Sequence, residues 1–262
     1  MRAFPHGNEL RFDPFLLFDD FGSDNPNDYI AGFPWHPHRG IETVTYILHG
    51  SVAHGDSIGN NGIIGDGDVQ WMTAGSGIIH QEMPTKTSGR TRGFQLWVNL
   101  PATNKMMPPR YRDIPANSIP VINPSNGVTI RLICGKIGEI QGPVRDIVIK
   151  IEYMDVSLAP NVSWNRAISP GMNSFLYMVS GKIDIAGTAN GVDENTLVHL
   201  EDTEQAEFIA GNNGARFLLA SGNPIMEPVA WGGPIVMNTN EELELAFEQL
   251  ENGTFIGNNA PK

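Results

Sequence analysis

A single cysteine, Cys134, stands in 262 residues, so no intrachain disulfide can form and no cysteine-built zinc site is available. Basic residues are also scarce, with 17 Lys+Arg against 29 Asp+Glu and a formal net charge of −12. A surface of that sign repels phosphate backbones, which argues against direct nucleic-acid binding and leaves contact through a protein partner. No apolar run approaches membrane-spanning length, and the opening stretch MRAFPHGNELRFDPF has no continuous apolar segment of the signal-peptide kind. These absences predict a chain that is neither secreted nor membrane-spanning, and is cytoplasmic, nuclear or both. The lone cysteine fits a reducing compartment.

Turn formers, by contrast, are abundant: Gly 29 and Pro 19 favour many short elements over long helices. Strands are expected at residues 41–48, 69–73, 94–99, 129–134 and 147–153, where β-branched and aromatic residues alternate between turns. The turns fall at Gly50, Gly59-Asn60-Asn61-Gly62 and Gly65-Asp66-Gly67-Asp68. TYILHGSV at 45–52 is echoed by LYMVSGKI at 176–183, which aligns Tyr46 with Tyr177 and Gly50 with Gly181. The echo predicts a second half built like the first. TNEELELAFEQLENG at 239–253 spaces Leu243, Phe247 and Leu250 as one face of a helix, capped by Thr239 or Asn240 and stopped at Gly253. The expected plan is all-β: an N-terminal barrel over 1–134, a second over 135–228, and a tail at 229–262 whose helix packs back on the barrels.

Chemistry concentrates in FPWHPHRGIETVTYILHG. In an extended strand, residues i and i+2 share a face, so His36 and His38 reach toward one point, and Pro37 between them restricts the backbone. A second i, i+2 pair, His80 and Glu82, follows in WMTAGSGIIHQEMP. Three imidazoles and a carboxylate suit a first-row divalent metal. Glu42 competes for the carboxylate place, since it keeps strand parity with His38. Glu82 is preferred because an Arg39-Gly40 turn would break that parity. Adding the repeat offset to His36, His38 and Glu42 lands on Ala167, Ser169 and Asn173, so the second half repeats the strands without the ligands. His6, His49, His54 and His199 have no co-ligand pattern and read as structural, His54 as a turn residue beside Asp56.

DPFLLFDDFG, the long block from HPHRGIETVTYILHG through GDVQWMTAGSGIIHQEMP, GFQLWVNLP and GPIVMNT together resemble the pirin family of the cupin superfamily. The resemblance runs from about residue 11 to the C-terminal helix. It implies a bicupin of two antiparallel barrels, with one iron ion, or another first-row divalent metal, on the positions of His36, His38, His80 and Glu82. Family members usually carry further residues, including an early strand, before the Asp-Pro-Phe block, so either the edge of the first barrel is incomplete or the natural start lies upstream of Met1.

Two roles follow from the resemblance. One is a dioxygenase that opens flavonols such as quercetin with dioxygen, with Glu82 as general base for the substrate hydroxyl. Gln95 and Trp97, together with Trp71, Met72 and Glu42, are the candidates for lining its pocket. The other is a redox-responsive iron protein that acts on transcription factors by protein contact.

Overall fold

Alternating apolar and polar residues pair into antiparallel ladders along most of the chain. A computed structural model describes residues 1–4, 7, 9–85, 89–187, 191–201 and 204–256; His6 lies outside the described residues. The first strands are β1 (Arg2–Phe4), β2 (Phe15–Ser23), β3 (Phe33–His38), β4 (Ile41–His49), β5 (Val52–Asp56), β6 (Asn61–Ile64), β7 (Val69–Thr73), β8 (Ile78–Pro84), β9 (Thr91–Asn99) and β10 (Arg110–Ile114). Two short helices, α1 (Glu9–Phe12) and α2 (Pro26–Tyr29), flank β2. One sheet runs β1-β2-β9-β4-β7-β10 and a second runs β3-β8-β5-β6. Side chains of the two sheets meet across a barrel lumen, as in the bonds from Thr45 on β4 and Gln95 on β9 to Glu82 on β8.

The second barrel uses β11 (Val121–Ile122), β12 (Val128–Cys134), β13 (Lys136–Ile137), β14 (Ile140–Gln141), β15 (Ile151–Leu158), β16 (Ser163–Ala167), β17 (Asn173–Ile185), β18 (Val192–Asp193), β19 (Leu197–Leu200) and β20 (Gln205–Gly222). Its main sheet runs β11-β12-β15-β20-β17-β18, with β16 on β20 and β19 on β17. One face carries a continuous core in which Leu132, Met154, Leu176 and Leu219 follow the ladder register. Trp164, Phe208 and Phe217 fill the same core.

Two expected elements shift. The strand anticipated at 147–153 begins at Ile151, where pairing with Gly222 starts, and runs on to Leu158. Asn61 and Gly62, expected in a turn, open β6 opposite Gly55 and His54. The repeat appears as like strands in like places. Tyr46 and Tyr177 are fully buried, and Gly50 and Gly181 turn the chain with φ of 90° and 77°.

The chain divides into two compact units, Met1–Glu9 with Phe15–Ala116 and Ile225–Lys262, and Leu10–Pro14 with Asn117–Pro224. The division differs from the boundary expected at residue 134, because β12 hydrogen-bonds to β15 and so joins the second unit. The first unit also takes β21 (Ala230–Gly232), β22 (Ile235–Met237) and α3 (Asn240–Glu251). Thr239 caps α3 in a reciprocal capping box with Glu242. Leu243 and Leu250 pack with Ile235, Met237 and Phe255, whereas Phe247 stays 39% exposed and lays its ring on Gly232.

Candidate metal centre

The extended segment β3 aims His36 and His38 to one side, and its register sets His36 directly opposite His80 on β8. Ring centroids lie 4.3 Å apart for His36–His80, 4.8 Å for His36–His38 and 5.0 Å for His38–His80. One nitrogen from each ring falls within 4.8 Å of the others. That is an arrangement of donor atoms that could hold a metal ion.

The hydrogen bonds decide which nitrogens are free. His36 Nδ1 lies 2.8 Å from Pro34 O and His38 Nδ1 lies 3.0 Å from Pro234 O. A carbonyl oxygen only accepts, so both Nδ1 atoms carry a proton, and in the neutral rings both Nε2 atoms carry lone pairs. Those two Nε2 atoms face each other at 3.1 Å. Two lone pairs repel at that separation, and a shared cation relieves the repulsion. His80 is fully buried with neither ring nitrogen partnered. An orphaned buried imidazole is costly, and coordination would remove the deficit. The donor set therefore fits a divalent metal.

Burial, reinforced by the neighbouring His36, holds His38 down at about 3, and burial with the adjacent rings pushes His80 down as well. Both are neutral at physiological pH, as ligation requires.

Glu82 sits on the same lumen side but outside the histidine group among the described residues. Its Oε1 accepts from Thr45 Oγ1 at 2.9 Å, and its Oε2 accepts from Gln95 Nε2 at 2.8 Å. The amide of Gln95 is oriented by Trp97, whose indole Nε1 donates to Gln95 Oε1 at 3.1 Å. The Trp97 ring in turn meets His38 edge-on at 5.0 Å. Glu82 also lines a cavity of about 240 Å³ with Phe21, Tyr29, Phe33, Val52 and Pro84. That cavity gives a small, largely apolar ligand a route to the carboxylate.

Of the other expected pocket residues, Met72 shares the lumen face, since its ladder partner Thr43 lies two residues from Thr45. Glu42 and Trp71 do not. They pair with Thr73 and Val44 on the opposite face, where Glu42 accepts from Thr73 Oγ1 at 2.6 Å and neighbours Arg110 at 3.7 Å. The reason is the turn at Gly40, which has a φ of 76° and no room for a Cβ beside the Val236 carbonyl. It carries the chain from one sheet to the other and breaks the parity between His38 and Glu42.

Several supporting groups have no local sequence signal. Arg39 donates to Ser76 O, Gln249 Oε1 and Phe255 O, and stacks on the Phe255 ring at 4.1 Å. Buried Lys105 donates to Gly40 O, Asn99 Oδ1 and Val236 O, and burial draws its ammonium down to about 7. With Pro234 O on His38, these bonds tie the C-terminal segment to the histidine strand. His54 bonds Asp56, as its place beside that residue suggests, but it is buried within the lumen. His49 is exposed, and His199 bonds Glu201 in the second unit.

Comparison with known proteins agrees with this architecture. The Pirin family pattern matches residues 1–98, and the Pirin C-terminal cupin domain pattern matches residues 153–256. A pirin-like protein of Caulobacter vibrioides is 43% identical, over 93% of this chain and 88% of its own. Human pirin is 40% identical, over 92% of this chain and 83% of its own. Among solved structures, a quercetin 2,3-dioxygenase from Acinetobacter baumannii superposes with a TM-score of 0.90 at 31% identity, covering 97% of this chain and 90% of that one. No helix among the described residues is long and apolar enough to cross a membrane.

Proposed function

Because this chain belongs to the pirin family, we propose that it is an iron-dependent dioxygenase of flavonol-like substrates. His36, His38 and His80 hold the ion, and Glu82 completes the ligand set and handles the substrate proton. The observation that carries the reading is the pair of facing Nε2 lone pairs at 3.1 Å beside an unpartnered His80. The likeness to a quercetin 2,3-dioxygenase structure supports the substrate class.

A bound first-row ion supplies Lewis acidity toward the substrate oxygens and redox chemistry toward dioxygen. The chain's own residues do the rest. Phe21, Tyr29 and Phe33 line the way to Glu82 and offer apolar surface to a planar ring system. Thr45 and Gln95 fix both oxygens of Glu82, so the carboxylate meets the substrate hydroxyl in one orientation and accepts its proton there. Trp97 keeps the amine end of Gln95 turned toward Glu82.

The test is oxygen consumption by the iron-loaded chain with quercetin, with His80→Ala as control. Turnover in the wild type alone supports the reading. No turnover at full iron occupancy overturns the dioxygenase and leaves a redox-responsive binding protein, to be pursued through its protein partner.

A further inference from the structure

A third i, i+2 pair enters the first barrel, His54 and Asp56 on β5, and neither the ligand set nor the substrate pocket uses it. In the β5–β8 ladder His54 stands opposite Glu82 and Asp56 opposite His80, so all four share the lumen face. Neither side chain of the pair has exposed surface. Asp56 accepts from His54 Nε2 at 3.2 Å, from the backbone N–H groups of Ile58 and Asn60 at 3.0 and 2.9 Å, and from Asn60 Nδ2 at 2.9 Å. Burial alone would raise its carboxyl; the bonds from His54, Asn60 and Ile58 outweigh that and hold it below its ordinary value.

An ionised carboxylate only accepts, so Nε2 of His54 carries a proton, and in the neutral ring Nδ1 is a lone pair. That Nδ1 is buried and unpartnered. The His54 ring is kept in its plane by stacking on Tyr111 at 4.4 Å, and the Tyr111 hydroxyl donates to Asp113. Beside it lies His80, with a ring centroid 5.4 Å away and both nitrogens unpartnered. A neutral imidazole that gives its lone pair to the histidine cluster keeps one N–H, which needs an acceptor. Two neighbouring rings thus carry matching deficits, a donor on His80 and an acceptor on His54, with no direct bond between them.

We propose that Asp56 and His54 are positioning residues for His80, joined to it by one buried water that accepts the His80 N–H and donates to His54 Nδ1. Such a water cancels both deficits at once. The carboxylate's charge, relayed through the imidazole, makes His80 a stronger and better-aimed ligand. The proposal rests on the reading of His80 as a metal ligand, and deepens it by naming what holds that ligand.

The test measures zinc affinity of the full chain by competition with a chromogenic chelator, together with histidine 15N spectra of the zinc-loaded protein. Asp56→Asn keeps an oxygen for the Ile58 and Asn60 N–H groups while removing the charge, and is expected to weaken binding ~10- to 100-fold. His54→Phe keeps the ring on Tyr111 and removes both nitrogens, with the same expected loss. The double variant should lose no more than the larger single loss, because the two act in series. Tyr111→Phe should bind as the wild type does. The His80 N–H resonance should move in both single variants while the His36 resonances stay in place. Wild-type affinity in Asp56→Asn or His54→Phe, or additive losses, would overturn the proposal. Failure of the wild type itself to bind zinc would overturn both this proposal and the metal-site reading beneath it.

Discussion

Thr45 of the first barrel turns its hydroxyl to Glu82, while Leu176, its counterpart in the repeat, packs with the Leu132, Met154 and Leu219 cluster. The same strand face carries polar groups among its apolar ones in one barrel and is a hydrocarbon core in the other. His36 and His38 have Ala167 and Ser169 as their counterparts, so the second barrel keeps the ladders and discards the ligands. A barrel wall therefore tolerates either filling, since its backbone hydrogen bonds are satisfied within the sheets. Stability comes from a packed interior in the second unit. The first unit gives up part of that packing to a polar lumen and is braced instead from the C-terminal segment, through Arg39 and Lys105.

The largest contrast should come from Glu82→Gln, which removes the proton acceptor. Oxygen consumption with quercetin is expected to fall roughly 10²- to 10⁴-fold, with the ion held, less tightly, by the three histidines. In the second barrel, Phe217→Ala should lower unfolding stability by about 3–5 kcal/mol in denaturant titration and leave metal content unchanged. Lys105→Met takes a donor from three buried acceptors, leaving Gly40 O and Asn99 Oδ1 with only the Leu100 N–H and Val236 O without its ammonium partner. We expect a loss of about 3 kcal/mol, and, unlike Phe217→Ala, a weakened hold on the metal, because the Gly40 turn follows His38.

A smaller effect concerns pH. His38 falls from 6.5 to about 3 in the folded chain, chiefly through burial. Between those values the unfolded chain binds the extra proton, so His38's contribution to the stability of the metal-free protein should decline as pH drops from 6.5 toward 3 and level off below. His38→Gln should flatten part of that slope in melting curves taken across the range. The smallest effect is expected from Glu42→Gln. That residue faces away from the lumen, so metal content should be unchanged and stability altered by about 1 kcal/mol.

Much of this was legible in local pattern. His-x-His and His-x-Glu spacing put side chains on one face because strand geometry has period two, and the repeat was visible through Tyr46/Tyr177 and Gly50/Gly181. The same period explains the misplacement of Glu42: parity carries no information across a turn that changes sheets. His54-x-Asp56 has the same spacing as the other pairs, but no ligand partner marks it in the sequence. The Pro234 carbonyl that sets the His38 tautomer lies 196 residues away, and any non-proline or proline residue supplies such a group, so nothing in the sequence marks it. The division into units depends on which neighbour β12 pairs with, a long-range choice that local pattern does not carry.

On the proposed reading, one barrel is a metal site and its repeat is not. Metal content of the purified, iron-loaded chain, measured alongside His36→Ala and His80→Ala, tests it most directly. One ion per wild-type chain and none in either variant is expected, with both variants still folded by circular dichroism. Full occupancy in both variants, or two ions per wild-type chain, would contradict it.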